Sequence, residues 1–214
     1  MSVRITDIVR GNYTVTIIMT DAGVSFGTPL SCRVLAGFYR DRGYKIGDVI
    51  SDEEAEAIVE AGRVCDGVEA GMRILSYADN SVRGLAKKLK ARGFDRDIAD
   101  MAAEELSAMG MIKEDDQIER RGRVQAERKL RGRRRVAADL CALGYDRVRV
   151  EKWLAGCGID FGEICARAIM KRGGVPSKED RDERRRLLSY LYRQGFSSDD
   201  IRHAVEIIEE SFHG

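Results

Sequence analysis

The densest chemistry in the chain is electrostatic. Residues 120–135, RRGRVQAERKLRGRRR, hold nine cations against Glu127 alone: Arg120, Arg121, Arg123, Arg128, Lys129, Arg131, Arg133, Arg134 and Arg135. That stretch carries +8, so the remainder of a chain with net charge +1 carries −7. An acidic run, Glu114-Asp115-Asp116 with Glu119, comes just before it. Cations at this density attract phosphates through charge and counterion release without reading bases, and they suit an acidic protein surface as well. The competing reading is a solvated face salt-bridged by Glu114–Glu119. On an uninterrupted helix Arg121, Arg128, Arg131 and Arg135 would fall within about 80° of one another, with Gly132 breaking the helix near its end.

Two smaller groups of cations accompany this run. Lys87, Lys88, Lys90 and Arg92 point away from Leu85 and Leu89; they either extend the basic patch or simply solvate their helix. Lys178, Arg181 and Arg184-Arg185-Arg186 are interleaved with Glu179, Asp180, Asp182 and Glu183, which reads as a mixed-charge surface.

Other chemistries find little support. There is no GxxxxGK phosphate loop, no HExxH pair and no GxSxG elbow, and Gly156-Cys157-Gly158 lacks the strand that a dinucleotide fingerprint needs. Cys32, Cys65, Cys141, Cys157 and Cys165 follow no ligand spacing and read as small buried hydrophobes. His203 and His213 have no cysteine near them to complete a metal set. The expectation is a protein without catalysis, metal or cofactor. Trp153, the single tryptophan, reads as a filler of core volume and only secondarily as a base-stacking platform. No run approaches the ~18 apolar residues that cross a bilayer. The first residues, MSVRITDIVRGNYTV, alternate instead of forming a signal-peptide block. A cytoplasmic monomer with no membrane contact is expected.

The elements that must position the basic run fall into two textures. Val3–Val9 and Tyr13–Met19 alternate β-branched with polar residues around a Gly11-Asn12 turn, and Val24-Ser25-Phe26 reads as a third short strand. Residues 30–42 are expected to form a helix closed by Gly43, and Tyr44–Ile50 a short extended piece. Ser51 with Glu54 makes a capping box opening a helix that Gly62 should end. Residues 1–65 therefore read as a small β-rich module.

From residue 66 onward the pattern is helical and repeats. Gly93, Gly144 and Gly195 are 51 residues apart, and the same shift superposes Leu85/Val136/Leu187, Leu89/Leu140/Leu191, Phe94/Tyr145/Phe196, Ala103/Leu154/Val205 and Leu106/Cys157/Ile208. Each unit reads as helix, glycine corner, helix. The glycine takes the left-handed conformation, the aromatic folds back on the apolar stripe, and Asp95, Asp146 or Ser197 caps the next helix. A further helix precedes each pair, at about 66–78, 114–131 and 161–172. The fold class expected is mainly α: three tandem three-helix repeats (66–112, 113–157 and 158–214) in an elongated curved array, behind the β-rich module.

Several of these segments, in this order, resemble the RecX family of bacterial regulators of the RecA recombinase: ILSY…Ser81, then KKLKARGF, then the basic RGRRRVAADLCALGY, then YLYRQGFSSDDI. The resemblance covers about residues 66–210, with a fainter likeness through the GYKIGDVIS stretch. Gly84 stands where the family's cap motif has an acidic residue, so a weaker start is expected for the helix after Ser81. The resemblance implies a protein that lies in the groove of RecA nucleoprotein filaments and inhibits strand exchange, ATP hydrolysis and SOS co-protease activity. It also implies contact with single- or double-stranded DNA without sequence preference. The alternatives are a helical DNA-binding regulator and an interaction scaffold, neither acting on RecA. Against the former, the helices after the corners (DRDIADMAAEEL, DRVRVEKWL, SSDDIRHAVEII) are acidic or mixed.

Overall fold

Alternating apolar residues in Ser2–Arg10 (β1) and Thr14–Asp21 (β2) pair as the antiparallel hairpin that their pattern requires, with Ile5 opposite Met19 and Ile8 opposite Ile17. In the computed structural model, which describes residues 2–23, 28–177 and 179–213, two further strands complete an antiparallel sheet of order β3-β2-β1-β4. The strand expected at Val24–Phe26 lies outside the described residues, as does Lys178.

Two expectations for this region are corrected. Residues 30–42 are not one helix: Leu30–Leu35 is a strand (β3), and only Ala36–Arg42 is helical (α1), closed by Gly43 in the left-handed region. Cys32 and Val34 alternate inward against β2, and burying that face outweighs local helix propensity. Of Tyr44–Ile50, only Val49 and Ile50 join a strand, Val49–Ser51 (β4).

Ser51 and Glu54 form the reciprocal capping box foreseen for them. The helix they open, Asp52–Leu75 (α2), does not end at Gly62 but continues for another three turns. Gly62 passes beside β3, where an added Cβ would stand 3.6 Å from the Arg33 carbonyl oxygen. A mid-helix glycine costs about 1 kcal/mol relative to alanine, less than α2 gains by burying both of its halves. Its first half places Ile58 on the sheet core of Ile5, Ile17, Met19 and Val34. Its second half places Val64, Cys65, Val68 and Ile74 among Leu85, Leu89, Ala102 and Leu106 of the next two helices, Val82–Lys90 (α3) and Arg96–Ala108 (α4).

The chain divides into two compact units, Met1–Ile112 and Lys113–Gly214. The second repeats the helix–corner–helix theme twice: Glu114–Arg123 (α5), Arg133–Ala142 (α6) and Arg147–Gly156 (α7), then Phe161–Met170 (α8), Arg181–Arg193 (α9) and Ser198–His213 (α10). One of its cores gathers Ile118, Val136, Leu140, Tyr145 and Leu154, and the other Ile164, Cys165, Ile169, Leu191, Phe196 and Ile208. The protein is thus mainly α with a small N-terminal antiparallel sheet.

All three corners are built alike. Gly93, Gly144 and Gly195 have φ of 96°, 92° and 88°. In each, the aromatic N–H donates to the carbonyl of the leucine five residues back: Phe94 to Leu89 at 3.3 Å, Tyr145 to Leu140 at 3.3 Å, Phe196 to Leu191 at 3.2 Å. This 6→1 bond closes a Schellman motif, and the aromatic side chain joins the same core as the leucine it bonds. The caps after the corners differ. Asp146 accepts from the Val148 and Arg149 N–H groups, and Ser197 exchanges bonds with Asp200, but the Asp95 side chain caps nothing. Instead it faces Arg63 at 3.8 Å. Ser81 still accepts from the Gly84 N–H at 3.0 Å, so half of that cap survives.

Candidate partner-binding surface

The nine cations of residues 120–135 do not share one helix. Following α5 comes a single π-helical turn, Val124–Arg128, then Leu130 in the left-handed region (φ 53°), then Gly132 as the N-cap of α6. The uninterrupted stripe through Arg121, Arg128, Arg131 and Arg135 is therefore split among a helix, a turn and a second helix. The physical cause is visible on both sides of the break. Leu130 is driven inward to the core of α8, α9 and α10, and the Arg167 guanidinium donates at 3.0 Å to the Glu127 carbonyl that the π turn leaves open. Gly132 and Gly195 meet backbone to backbone: the Gly132 N–H donates to the Gln194 carbonyl at 2.9 Å and the Arg134 N–H to that of Gly195 at 3.2 Å. A Cβ on Gly132 would collide with the backbone of Gly195 and Phe196. The basic segment is thus fastened to the third corner.

The side chains then divide by what they touch. Arg123 is bound within the unit, to Glu119 at 2.5 Å, Glu127 at 3.1 Å and the Cys157 carbonyl at 2.9 Å. Asp139 holds both Arg131 and Arg135, the latter at 3.1 Å. Arg133 donates to the Leu154 carbonyl at 2.6 Å and stacks its guanidinium 4.9 Å from the centre of the Phe161 ring. Arg120 is exposed and Arg121 half-buried. Arg128, Lys129 and Arg134 are exposed, and no carboxylate among the described residues pairs with them. Salt bridges within the unit thus account for Arg123, Arg131 and Arg135, and leave Arg128, Lys129 and Arg134 facing solvent.

The acidic run is used locally. Glu114, Asp115 and Asp116 occupy the first turn of α5, where carboxylates complement the helix dipole. Glu114 and Asp115 also hold Arg149 of α7, at 3.4 and 3.6 Å. Glu119 binds Arg123 and accepts from the Trp153 indole N–H, and these partners hold its carboxyl below the usual carboxylate range.

Lys87, Lys88 and Lys90 lie in the last turn of α3, where cations complement the helix dipole. Lys87, Lys88 and Arg92 are exposed, while Lys90 pairs with Asp100 at 2.8 Å. Arg147 and Arg149 on α7, a helix that reads as mixed-charge in the sequence, are exposed, and Arg147 pairs with Glu151 at 2.7 Å. Cys32, Cys65, Cys157 and Cys165 are buried, and burial pushes the Cys165 thiol up to about 12, out of reach of thiolate chemistry at neutral pH. Among the described residues no group of three or more His, Cys, Asp or Glu could hold a metal ion, and no helix is long and apolar enough to cross a membrane.

Comparison with known proteins agrees with this architecture. Residues 163–205 match the family model described as the third three-helix domain of RecX. The chain is 32% identical over 155 residues to the regulatory protein RecX of Halorhodospira halophila, covering 71% of this chain and 94% of that protein. Among solved structures, a crystal structure of a regulatory protein RecX superposes with a TM-score of 0.67, covering 94% of this chain and 97% of that one at 16% identity. RecX from Lactobacillus salivarius superposes with a TM-score of 0.57, covering 70% and 98% at 20% identity. These two likenesses concern the fold.

Proposed function

This chain belongs to the RecX family, and from that premise we propose that it regulates the RecA recombinase, mainly as an inhibitor. In this reading it binds RecA–DNA filaments as a monomer in their helical groove, modulating ATP hydrolysis, strand exchange and SOS co-protease activity. The three helix triples, at about 66–112, 113–157 and 158–214, each offer a contact, and linked contacts raise affinity through effective concentration. The basic segment meets phosphate or an acidic groove without reading sequence.

One observation carries the reading: Arg128, Lys129 and Arg134 project from a segment whose backbone is fixed to the third corner, while Arg123, Arg131 and Arg135 are already neutralised by the protein's own acids. A rigid base with outward cations is what a polyanion contact needs. The test is co-sedimentation with RecA assembled on single-stranded DNA. The Arg128→Glu/Lys129→Glu/Arg134→Glu protein should lose most of its pelleted fraction at moderate salt while keeping its helical spectrum. Equal pelleting by parent and variant would refute the assignment. Reversing Arg133 and Arg135 instead would confuse binding with folding, since both serve the unit's own structure.

A further inference from the structure

The packing of α6 on α7 brings together cations that the sequence keeps apart. A cleft of about 430 Å³ is lined by Arg133, Arg134 and Ala137 of α6 and by Arg147, Glu151 and Leu154 of α7. Three guanidinium groups face one carboxylate there, and Arg147 lies outside the basic run altogether. We infer that this cleft seats a phosphodiester group of a nucleic-acid backbone, with Arg147 acting together with Arg133 and Arg134 to hold it. The inference rests on the polyanion contact proposed above and gives it a defined seat.

Arg133 is held in place before any ligand arrives, and Arg147 has a partner on its own helix. Arg133 is fixed between the Leu154 carbonyl at 2.6 Å and the Phe161 ring at 4.9 Å, using one N–H of its five. Arg147 is steadied through its Nε by Glu151 at 2.7 Å, which leaves the outer guanidinium nitrogens available. Planar forks positioned in this way bind phosphate oxygens in pairs, and prior ordering reduces the entropy lost on binding. Arg134 supplies a third, exposed fork. Carboxylates are scarce around the seat: α6 has none in its first turn, a position where helices ordinarily favour acids. Ala137 and Leu154 give the cleft apolar walls against which a sugar can lie. With a volume several times that of a water molecule, the cleft has room for a phosphodiester and an adjoining sugar. With its guanidinium groups engaged by phosphate oxygens, binding should be indifferent to sequence.

The test measures binding of a fluorescently labelled oligothymidylate to the full-length chain by anisotropy, across a salt series and without RecA. Arg147→Gln is the informative variant, because the side chain is 82% exposed and its loss leaves the fold intact, as circular dichroism would verify. Arg202→Gln on α10, also an exposed ion-paired arginine outside the cleft, controls for charge alone. Arg147→Gln should raise Kd about tenfold, the worth of a charged hydrogen-bonded contact. It should also lower the magnitude of the log–log salt slope by about 0.7, one phosphate's share on a single strand. Parent binding with Arg147→Gln indistinguishable from Arg202→Gln would refute the cleft while leaving the broader DNA contact standing. Absence of binding by the parent at low salt would remove both. Competition by micromolar pyrophosphate would point to a free-phosphate site, and stronger competition by polyglutamate than by unlabelled oligothymidylate would point to an acidic protein; either result overturns the proposal.

Discussion

Trp153 lies with its indole ring against the backbone of Gly122, so closely that a Cβ at position 122 would collide with three ring carbons. The ring's N–H reaches past that glycine to the Glu119 carboxylate, one turn back on the same helix. A glycine thus provides the hole that the only tryptophan fills, locking α7 onto α5 beneath the basic segment. Gly122→Ala should cost about 1–3 kcal/mol, in line with overpacked cores, and should move Trp153 fluorescence toward that of an exposed indole. Gly156→Ala, with open space around it in a helix of the same unit, should be close to neutral in the same denaturant titration.

The same contact makes Glu119 a reporter of acid. Its folded-state pKa is depressed, first by the Arg123 hydrogen bond and then by that of Trp153. A carboxylate with a depressed folded pKa contributes stability above its unfolded value, about 4.3, and loses it as pH falls through the folded value. The Trp153 emission of the parent should therefore hold steady down to about pH 4.3 and change below it. Glu119→Gln should lack that step. Glu119 is 44% exposed, so solvent screening keeps its effect on global stability small.

Different corner glycines should respond unequally to a methyl group. Gly93→Ala places a side chain at φ 96° with open space around it, and the expected cost is the conformational one, about 1–2 kcal/mol. Gly195→Ala adds a collision with the Arg135 backbone and should cost clearly more, disturbing the seating of α6. Thermal unfolding of both variants gives the ranking; an equal shift in the two would contradict the backbone contact between Gly132 and Gly195.

The basic run should separate into two classes by mutation. Arg123→Gln removes contacts to Glu119, Glu127 and the Cys157 carbonyl and should lower the denaturation midpoint of the second unit. Arg128→Gln should leave unfolding within about 0.5 kcal/mol of the parent, as surface substitutions do, and act only on binding. A single denaturant series on the two proteins distinguishes a supporting cation from a presenting one.

Much of this was legible in the letters, and where reading failed the reason is physical. The 51-residue period located three corners because backbone geometry demands glycine there and Schellman closure wants an apolar residue after it. The capping box at Ser51 and Glu54 was readable because both partners lie within one turn. What required the folded chain was non-local. Residues 30–35 look helical until β2 offers them a sheet edge. Gly62 looks like a stop until α2 is seen to serve two cores at once. The basic run looked like one helix face because nothing local announces a π turn. Leu130 takes its left-handed conformation to reach a core built from residues more than thirty positions onward. Arg147 was overlooked for the same reason: only the packing of α6 on α7 brings it beside Arg133.

The most direct test of the central claim is RecA ATPase activity on single-stranded DNA, with this protein added up to one molecule per RecA protomer. Hydrolysis should fall in proportion to the protein added, and fall markedly less with the Arg128→Glu/Lys129→Glu/Arg134→Glu protein. Hydrolysis unchanged at stoichiometric concentration, by a protein whose helical spectrum shows it folded, would contradict the claim.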